Sequence, residues 1–473
     1  MEEVIVLYPS PGIGHLISTV ELGRLILKHD PSFSIKILIT TPPYNTGSTA
    51  PYINRVSTTT PSITFHHLPT VSLPLDFSKS PNKETLIFEL FRLNNPNVHQ
   101  ALQTISQTSN VRALVIDMFC SAALDVATSL NIPSYYFFTC GALALAAFLY
   151  FPTIHHNTTK SFKDMNTHLD IPGLPPIPAS DMIKPMLDRN DEAYQGFLYF
   201  STALPKSKGI IVNSFESLEP RAIKAISDGL CVPDAPTPPV YYVGPLIATE
   251  NRNGGSGGKS ECLTWLDSQP SGSVVFLCFG SLGLFSGKQL KEIAVGLEKS
   301  EQRFLWVVRS PPTDDKSRRR FIATPDPDLD ALLPEGFLER TRERGIVVKS
   351  WAPQVEVLNH ESVGGFVTHC GWNSVLEAVC AGVPMVGWPL YAEQRLNRVV
   401  LVEEMKLALS MDESEDGFVS WDVVEKRVRE LMELEEGKAV RERVMAMKDG
   451  VKTAIGEHGS SRLALPKVLN SWK

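Results

Sequence analysis

Short apolar runs bounded by turn residues recur along the chain, separated by stretches with helical spacing. In the first half they include Val4–Pro9, Phe33–Thr40, Ala113–Phe119, Ser134–Thr139 and Gly209–Phe215. In the second half they include Ser273–Gly280, Arg303–Val308, Gly345–Trp351, Gly364–Cys370 and Pro384–Leu390. Runs that are apolar throughout, not at alternate positions, predict parallel strands covered on both faces. Alternation with helices predicts an α/β fold of doubly wound sheets. Between the two sets lies the polar, glycine-rich stretch Ala248–Glu261, the composition of a flexible linker. The expected organisation is a Rossmann-like domain over 1–247, a linker over 248–261, a second Rossmann-like domain over 262–455, and a tail helix over 456–473 packing back on the first domain. A length of 473 residues suits about two domains.

Composition removes several alternatives. A net charge of −7 gives no basic surface for nucleic acid. Arg318–Arg320 is the one dense basic run, and its Pro, Asp and Ser neighbours read as a solvated loop. The longest apolar stretch, Ala142–Phe151, is too short to span a bilayer. Met1-Glu2-Glu3 is acidic and the apolar run after it stops at Pro9, so a secretory signal is not expected. The seven cysteines are scattered and never form CxxC, which suits free thiols in a reducing compartment and argues against a structural zinc. A cytoplasmic protein acting as a monomer is expected.

Chemistry gathers where strands end. The stretch "FVTHCGWNSVLEAV" begins as a strand and finishes as a helix, with His369, Trp372, Asn373, Ser374 and Glu377 around the turn. A helix N-terminus at a strand's carboxyl end is an anion site. The same turn is also explained by Gly as the bend, Asn or Ser as N-cap and Trp as core. "SWAPQ" supplies Trp351, Ala352 and Gln354 after another strand, a platform for a flat base beside a polar reader. "YAEQ" supplies Glu393 and Gln394, suited to sugar hydroxyls, and "FGSLG" supplies Ser281, suited to phosphate. Together they describe a nucleotide-sugar.

In the first half, "VIVLYPSPGIGHL" is a strand, a Gly/Pro turn and a helix beginning near His15. Its Gly12–Gly14 pair begins a dinucleotide fingerprint, but Ile17 replaces the third glycine. Asp117 closes an apolar run, which is costly unless the carboxylate is solvated or paired. Two readings fit these residues: an oriented His–Asp base, or a helix-capping His15 beside an Asp117 that accepts backbone N–H bonds.

The segment from Trp351 to Gln394 closely resembles the signature box of plant family-1 UDP-sugar-dependent glycosyltransferases. "YPSPGIGHL" and "CFGSLG" extend the resemblance over the whole chain. It implies the GT-B fold, two Rossmann-like domains facing across a cleft. It implies catalytic roles for His15 and Asp117. Trp351, with Ala352 and Gln354, should read the uridine, and Glu377 the ribose. His369, Asn373 and Ser374, assisted by Ser281, should hold the diphosphate. Trp372, Glu393, Gln394 and Thr139 should face the sugar. Gln394 and Trp372 lean toward UDP-glucose over the galactose and glucuronate donors. The acceptor wall is expected from Phe119, Tyr136 and Phe148 with His15, in a pattern resembling the flavonoid, isoflavone and chalcone branch. No metal or other cofactor is implied. The DxD of Pro325–Asp330 lies in a loop and is set aside as a metal motif. Another UDP-sugar, a C-glycoside, a non-catalytic binder and a nicotinamide oxidoreductase remain the alternatives.

Overall fold

The structure is a computed structural model that describes residues 1–43, 49–73, 83–248, 260–312 and 325–473. Arg318–Arg320 and most of the Ala248–Glu261 linker lie outside the described residues. The chain forms two compact units, residues 1–250 with 452–473, and residues 251–451.

The first unit is built on strands β1 (Glu2–Tyr8), β2 (Phe33–Ile39), β3 (Ile63–His67), β4 (Ser109–Asp117), β5 (Ser134–Phe138), β8 (Ile210–Val212) and β9 (Val240–Tyr242), with β6 (His168–Leu169) and β7 (Ile177–Pro178) forming a small separate hairpin. The seven main strands lie in the order β3-β2-β1-β4-β5-β8-β9, paired in parallel. Val4 to Leu7 and Ala113 to Ile116 are almost wholly excluded from solvent, as both faces carry helices. The helix Ala142–Asn157 is buried from Ala142 to Leu149, so this all-apolar stretch is a core helix.

The second unit has β10 (Val274–Cys278), β11 (Arg303–Val308), β12 (Gly345–Lys349), β13 (Val363–Thr368), β14 (Met385–Gly387) and β15 (Ala408–Ser410). Their order is β12-β11-β10-β13-β14-β15, again all parallel. Its core gathers Phe276, Trp306, Phe366 and Trp388 with the inner faces of the covering helices. Each unit is therefore a Rossmann-like doubly wound sheet. In each, strand order reverses at one place: between β1 and β4, and between β10 and β13. Open α/β sheets bind ligands at such switch points, outside the strands' carboxyl ends.

The observed strands fall within or close to the apolar runs read from the sequence. Of the strands in the two main sheets, β3, β9 and β15 were not singled out there. All three are sheet edges, and β3 and β9 are partly exposed, so neither carries a continuous apolar run. The helix Glu435–Ile455 runs through the boundary between the units, and the helix Ser460–Asn470 belongs to the first. There Trp472 meets Tyr135 edge-on at 5.6 Å, and the Tyr135 and Ser471 hydroxyls share a hydrogen bond of 2.9 Å. No helix among the described residues is long and apolar enough to cross a membrane.

Candidate active site

The switch point of the first sheet carries a base. Gly12 precedes the helix Ile13–His29 with φ of 122°, a conformation that costs glycine little and L side chains much. The bend puts His15 in the first helical turn, beside the end of β4, where Tyr8 of β1 pairs with Ile116. His15 Nδ1 lies 2.7 Å from Asp117 Oδ2. His15 is 30% exposed and Asp117 2%. Asp117 also accepts the Ser10 hydroxyl and, at 3.2 Å, the Phe119 backbone N–H, both at Oδ1. Three donors surround the buried carboxylate, which fixes its orientation and offsets the cost of burying it. A carboxylate on Nδ1 selects the tautomer with Nδ1–H and leaves Nε2 as the basic nitrogen. Thr139, at the carboxyl end of β5, brings Oγ1 to 3.5 Å from His15 Nδ1.

Ser10 was not picked out from the sequence. Its position, two residues past β1 at the switch point, was the available signal. Phe119 is half-buried, its ring centroid 6.2 Å from that of His15. Phe88, also half-buried and also not picked out, lies 5.0 Å from Phe119. Tyr136 and Phe148 do not form part of an open wall, contrary to expectation. Tyr136 is fully buried with its hydroxyl donated to Ser121, and Phe148 packs inside the cluster of Phe138, Phe197 and Phe200. A strand covered on both faces buries both sets of side chains, and the helix Ala142–Asn157 is core throughout its first half.

The second switch point carries a helix start. The helix Trp372–Ala381 begins after Gly371, which has no side chain to cap its first amides. His369 is 6% exposed, and its ring lies close to two glycines. A Cβ on Gly280 or Gly371 would stand 2.6 or 2.5 Å from its Nε2, so only glycine admits the ring. Ser281, beyond β10, is exposed. Trp351 and Gln354 are half-buried, while Ala352, Trp372, Ser374 and Glu377 are buried. Gln354 Nε2 donates to Ser374 Oγ at 2.8 Å and to Glu377 Oε2 at 2.6 Å, joining three of the expected donor-site residues. Asn373 and Glu393 are half-buried.

Gln394, expected to face the sugar, also closes a turn of the fold. It is 2% exposed, and its Oε1 accepts the N–H groups of Leu390 and Tyr391 at 2.8 and 2.9 Å. Its carbonyl is committed to closing the turn after β14.

The chain beyond β10, β12, β13 and β14 turns through a left-handed residue each time: Gly280, Ser350, Cys370 and Ala392. For the three that are not glycine this costs about 1–2 kcal/mol each. Side chains hold the strained turns. Ser350 Oγ donates to Asp326, Asn397 Nδ2 donates to the Cys370 carbonyl at 2.9 Å, and Gln394 clasps the turn containing Ala392. Of the DxD carboxylates, Asp326 takes the Ser350 hydroxyl and Asp328 caps the helix Leu329–Leu332. Among the described residues no group of three His, Cys, Asp or Glu side chains is arranged to hold a metal.

Two Rossmann-like sheets, with a His–Asp pair at one switch point and a glycine-opened helix start at the other, have the parts of a GT-B group transferase. The family model for UDP-glucoronosyl and UDP-glucosyl transferase matches residues 237–446. The anthocyanidin 5,3-O-glucosyltransferase of a Rosa hybrid cultivar is 53% identical, the match covering 100% of this chain and 99% of that protein. The phloretin 2'-O-glucosyltransferase of Pyrus communis is also 53% identical, with both chains fully covered. Among solved structures, UGT2 of Phytolacca americana complexed with UDP-2fluoro-glucose and pterostilbene superimposes with a TM-score of 0.87 at 39% identity, over 99% of each chain. The chain belongs to the UDP-glycosyltransferase family and is a glycosyltransferase.

Proposed function

We propose that the protein transfers glucose from UDP-glucose to a hydroxyl of a flat phenolic acceptor, releasing a β-O-glucoside and UDP. The observation that carries the reading is the His15–Asp117 pair, 2.7 Å apart at the first switch point. A protein that only bound nucleotide-sugars would have no use for an oriented base.

In the proposed reaction the acceptor hydroxyl gives its proton to His15 Nε2. The oxygen attacks the anomeric carbon from the face opposite the diphosphate, the C–O bond to phosphate breaks, and UDP leaves with the bonding pair. Asp117 stabilises the imidazolium through Nδ1–H. General-base assistance of this kind is worth about 10²–10⁴-fold in rate. On the donor side we assign uracil stacking to Trp351, with the Ala352 backbone and Gln354 as uridine readers and Glu377 on the ribose. We assign the diphosphate to the helix N-terminus at Asn373 and Ser374, with His369 and Ser281. Trp372, Glu393, Gln394 and Thr139 are assigned to the sugar. The amides and His369 stabilise the leaving charge in this scheme. Phe119, next to His15, is the supported part of the acceptor wall, and the names of the rose and pear relatives favour a flavonoid-like acceptor. The seven cysteines are thiols outside any disulfide, six of them buried, which suits a reducing compartment such as the cytoplasm.

The test is mass spectrometry of purified protein with UDP-glucose and a panel of phenolics. Products one hexose heavier, with stoichiometric UDP, are expected. Binding of UDP-glucose with no product across the panel would overturn the acceptor class. Faster transfer from UDP-galactose or UDP-glucuronate would overturn the donor.

A further inference from the structure

Glu219 is a buried carboxylate that the scheme above does not use. It is 1% exposed, and burial pushes its carboxyl above the usual range against the pull of its hydrogen bonds. It is the N-cap residue of the helix Pro220–Ser227, yet its side chain makes no bond to that helix. It turns instead to the helix Ala142–Asn157. Ala142 N–H donates to Oε2 at 2.7 Å and Leu143 N–H to Oε1 at 2.8 Å, while the Ser214 hydroxyl donates to Oε2. That helix begins after Gly141, which offers no side-chain cap. Two amides left unpaired by the chain's own sequence are thus satisfied by a residue 77 and 76 positions away.

The consequence lies just upstream. Thr139, Cys140 and Gly141 are the whole connection between β5 and this helix, and Thr139 Oγ1 is the atom 3.5 Å from His15 Nδ1. Anchoring the helix start fixes the connection at one end. At its other end Asn213 N–H donates to the Phe138 carbonyl at 3.1 Å. The anchor is itself tied down. Asn213 Oδ1 accepts the Leu246 N–H at 2.7 Å, and Gly244 N–H donates to the Ser214 carbonyl at 2.9 Å. A chain of hydrogen bonds therefore runs from Gly244 through Ser214 and Glu219 to the amides of Ala142 and Leu143, which follow Thr139 by three and four residues.

We propose that Glu219 is a positioning residue for transfer: by capping the helix at Ala142 and Leu143 it holds Thr139 against the catalytic His15. The inference rests on the reading of His15 and Thr139 given above.

The test is a double-mutant cycle of Glu219→Gln with Thr139→Ala, read as kcat and KM for UDP-glucose and acceptor. A carboxamide has one acceptor oxygen and an NH₂ group, so it must face one of the two backbone N–H groups donor to donor. Glu219→Gln is expected to lower kcat about ten- to a hundredfold through misplacement, with acceptor KM little changed. In the Thr139→Ala background the same substitution should cost less than about threefold more, because the two act through one contact. Equal losses in both backgrounds, or a wild-type kcat for Glu219→Gln, would overturn the proposal. Ser214→Ala, which removes a single donor, reads the same cycle should Glu219→Gln fail to fold. Wild-type protein that makes no glucoside would instead sink the underlying functional reading, so the two failures are distinct.

Discussion

Replacing Asp117 by Asn separates orientation of the base from mere occupancy of its site. Three donors converge on the native carboxylate: the Ser10 hydroxyl, the Phe119 N–H and His15 Nδ1–H. An amide has one acceptor oxygen. Directed at Ser10 and Phe119, that oxygen satisfies two buried donors, and the amide N–H₂ is left facing His15. Nδ1 must then accept, the proton moves to Nε2, and the imidazole can no longer take a proton from an acceptor there. The whole general-base contribution is at stake, about 10²–10⁴ in kcat, or about 3–5 kcal/mol at 1.36 kcal/mol per decade. The assay uses two acceptors matched in shape, one an ordinary phenol and one acidified by an electron-withdrawing group until it is ionised near neutral pH. The ordinary phenol should lose the full factor. The acidic one needs no base and should lose less than about tenfold. UDP affinity should not move. Equal losses on both acceptors, or transfer to the ordinary phenol within about tenfold of wild type, would refute the assignment of Asp117 as the orienting partner of a base.

Two further outcomes are specific to this chain. A Cβ at Gly196, in the helix Glu192–Ala203, would stand 2.3 Å from the Phe88 ring, which packs on Phe119 beside His15. Gly196→Ala should therefore shift acceptor KM several-fold for bulky flavonoids and hardly for simple phenols, with donor KM constant; an unchanged ratio would remove Phe88 from the acceptor wall. Helix propensity alone favours Ala there by about 1 kcal/mol, so any fall in Tm must come from the displaced ring. His155 has its Nδ1 2.9 Å from the Tyr194 hydroxyl and its Nε2 3.2 Å from Arg189, and burial followed by the Arg189 charge lowers its pKa below the ordinary 6.5. The unfolded chain takes this proton first, so the stability from neutral His155 is complete above 6.5 and is lost as pH falls through that value toward the folded-state pKa. Tm should drop less between about pH 7.5 and 5.5 in His155→Phe than in wild type, and parallel slopes would exclude the group.

What could be read from the chain, and what could not, follows from how far each residue's partners lie along it. The interior strands announced themselves because parallel strands buried on both faces are apolar at every position, as in Val4–Leu7 and Val274–Cys278. His15, Asp117 and the residues around Gly371 were legible because each stands where an apolar run stops, and the ends of parallel strands fall on one edge. Ser10 obeys the same rule and was passed over, since a lone serine in a Pro/Gly turn has no meaning until Asp117 is beside it. Glu219 and Asn397 carry no local signal. One completes a helix 77 positions upstream, and the other holds the strained Cys370 carbonyl. Tyr136 and Phe148 misled for the opposite reason: an aromatic in a run buried on both sides gives no indication of which face opens to a ligand.

The two helix starts show what such long-range partners decide. After β5 and after β13 the chain does the same thing, ending a strand and opening a helix behind a glycine that cannot cap it, Gly141 in one case and Gly371 in the other. By local chemistry both are anion sites. At the first, Glu219 fills the site with a carboxylate of the protein's own and converts a binding position into a fixed support for Thr139. At the second, the strain at Cys370 and the close fit of His369 against Gly280 and Gly371 are retained around the turn. What decides the first helix start is a single carboxylate, and no window of sequence around Gly141 contains it.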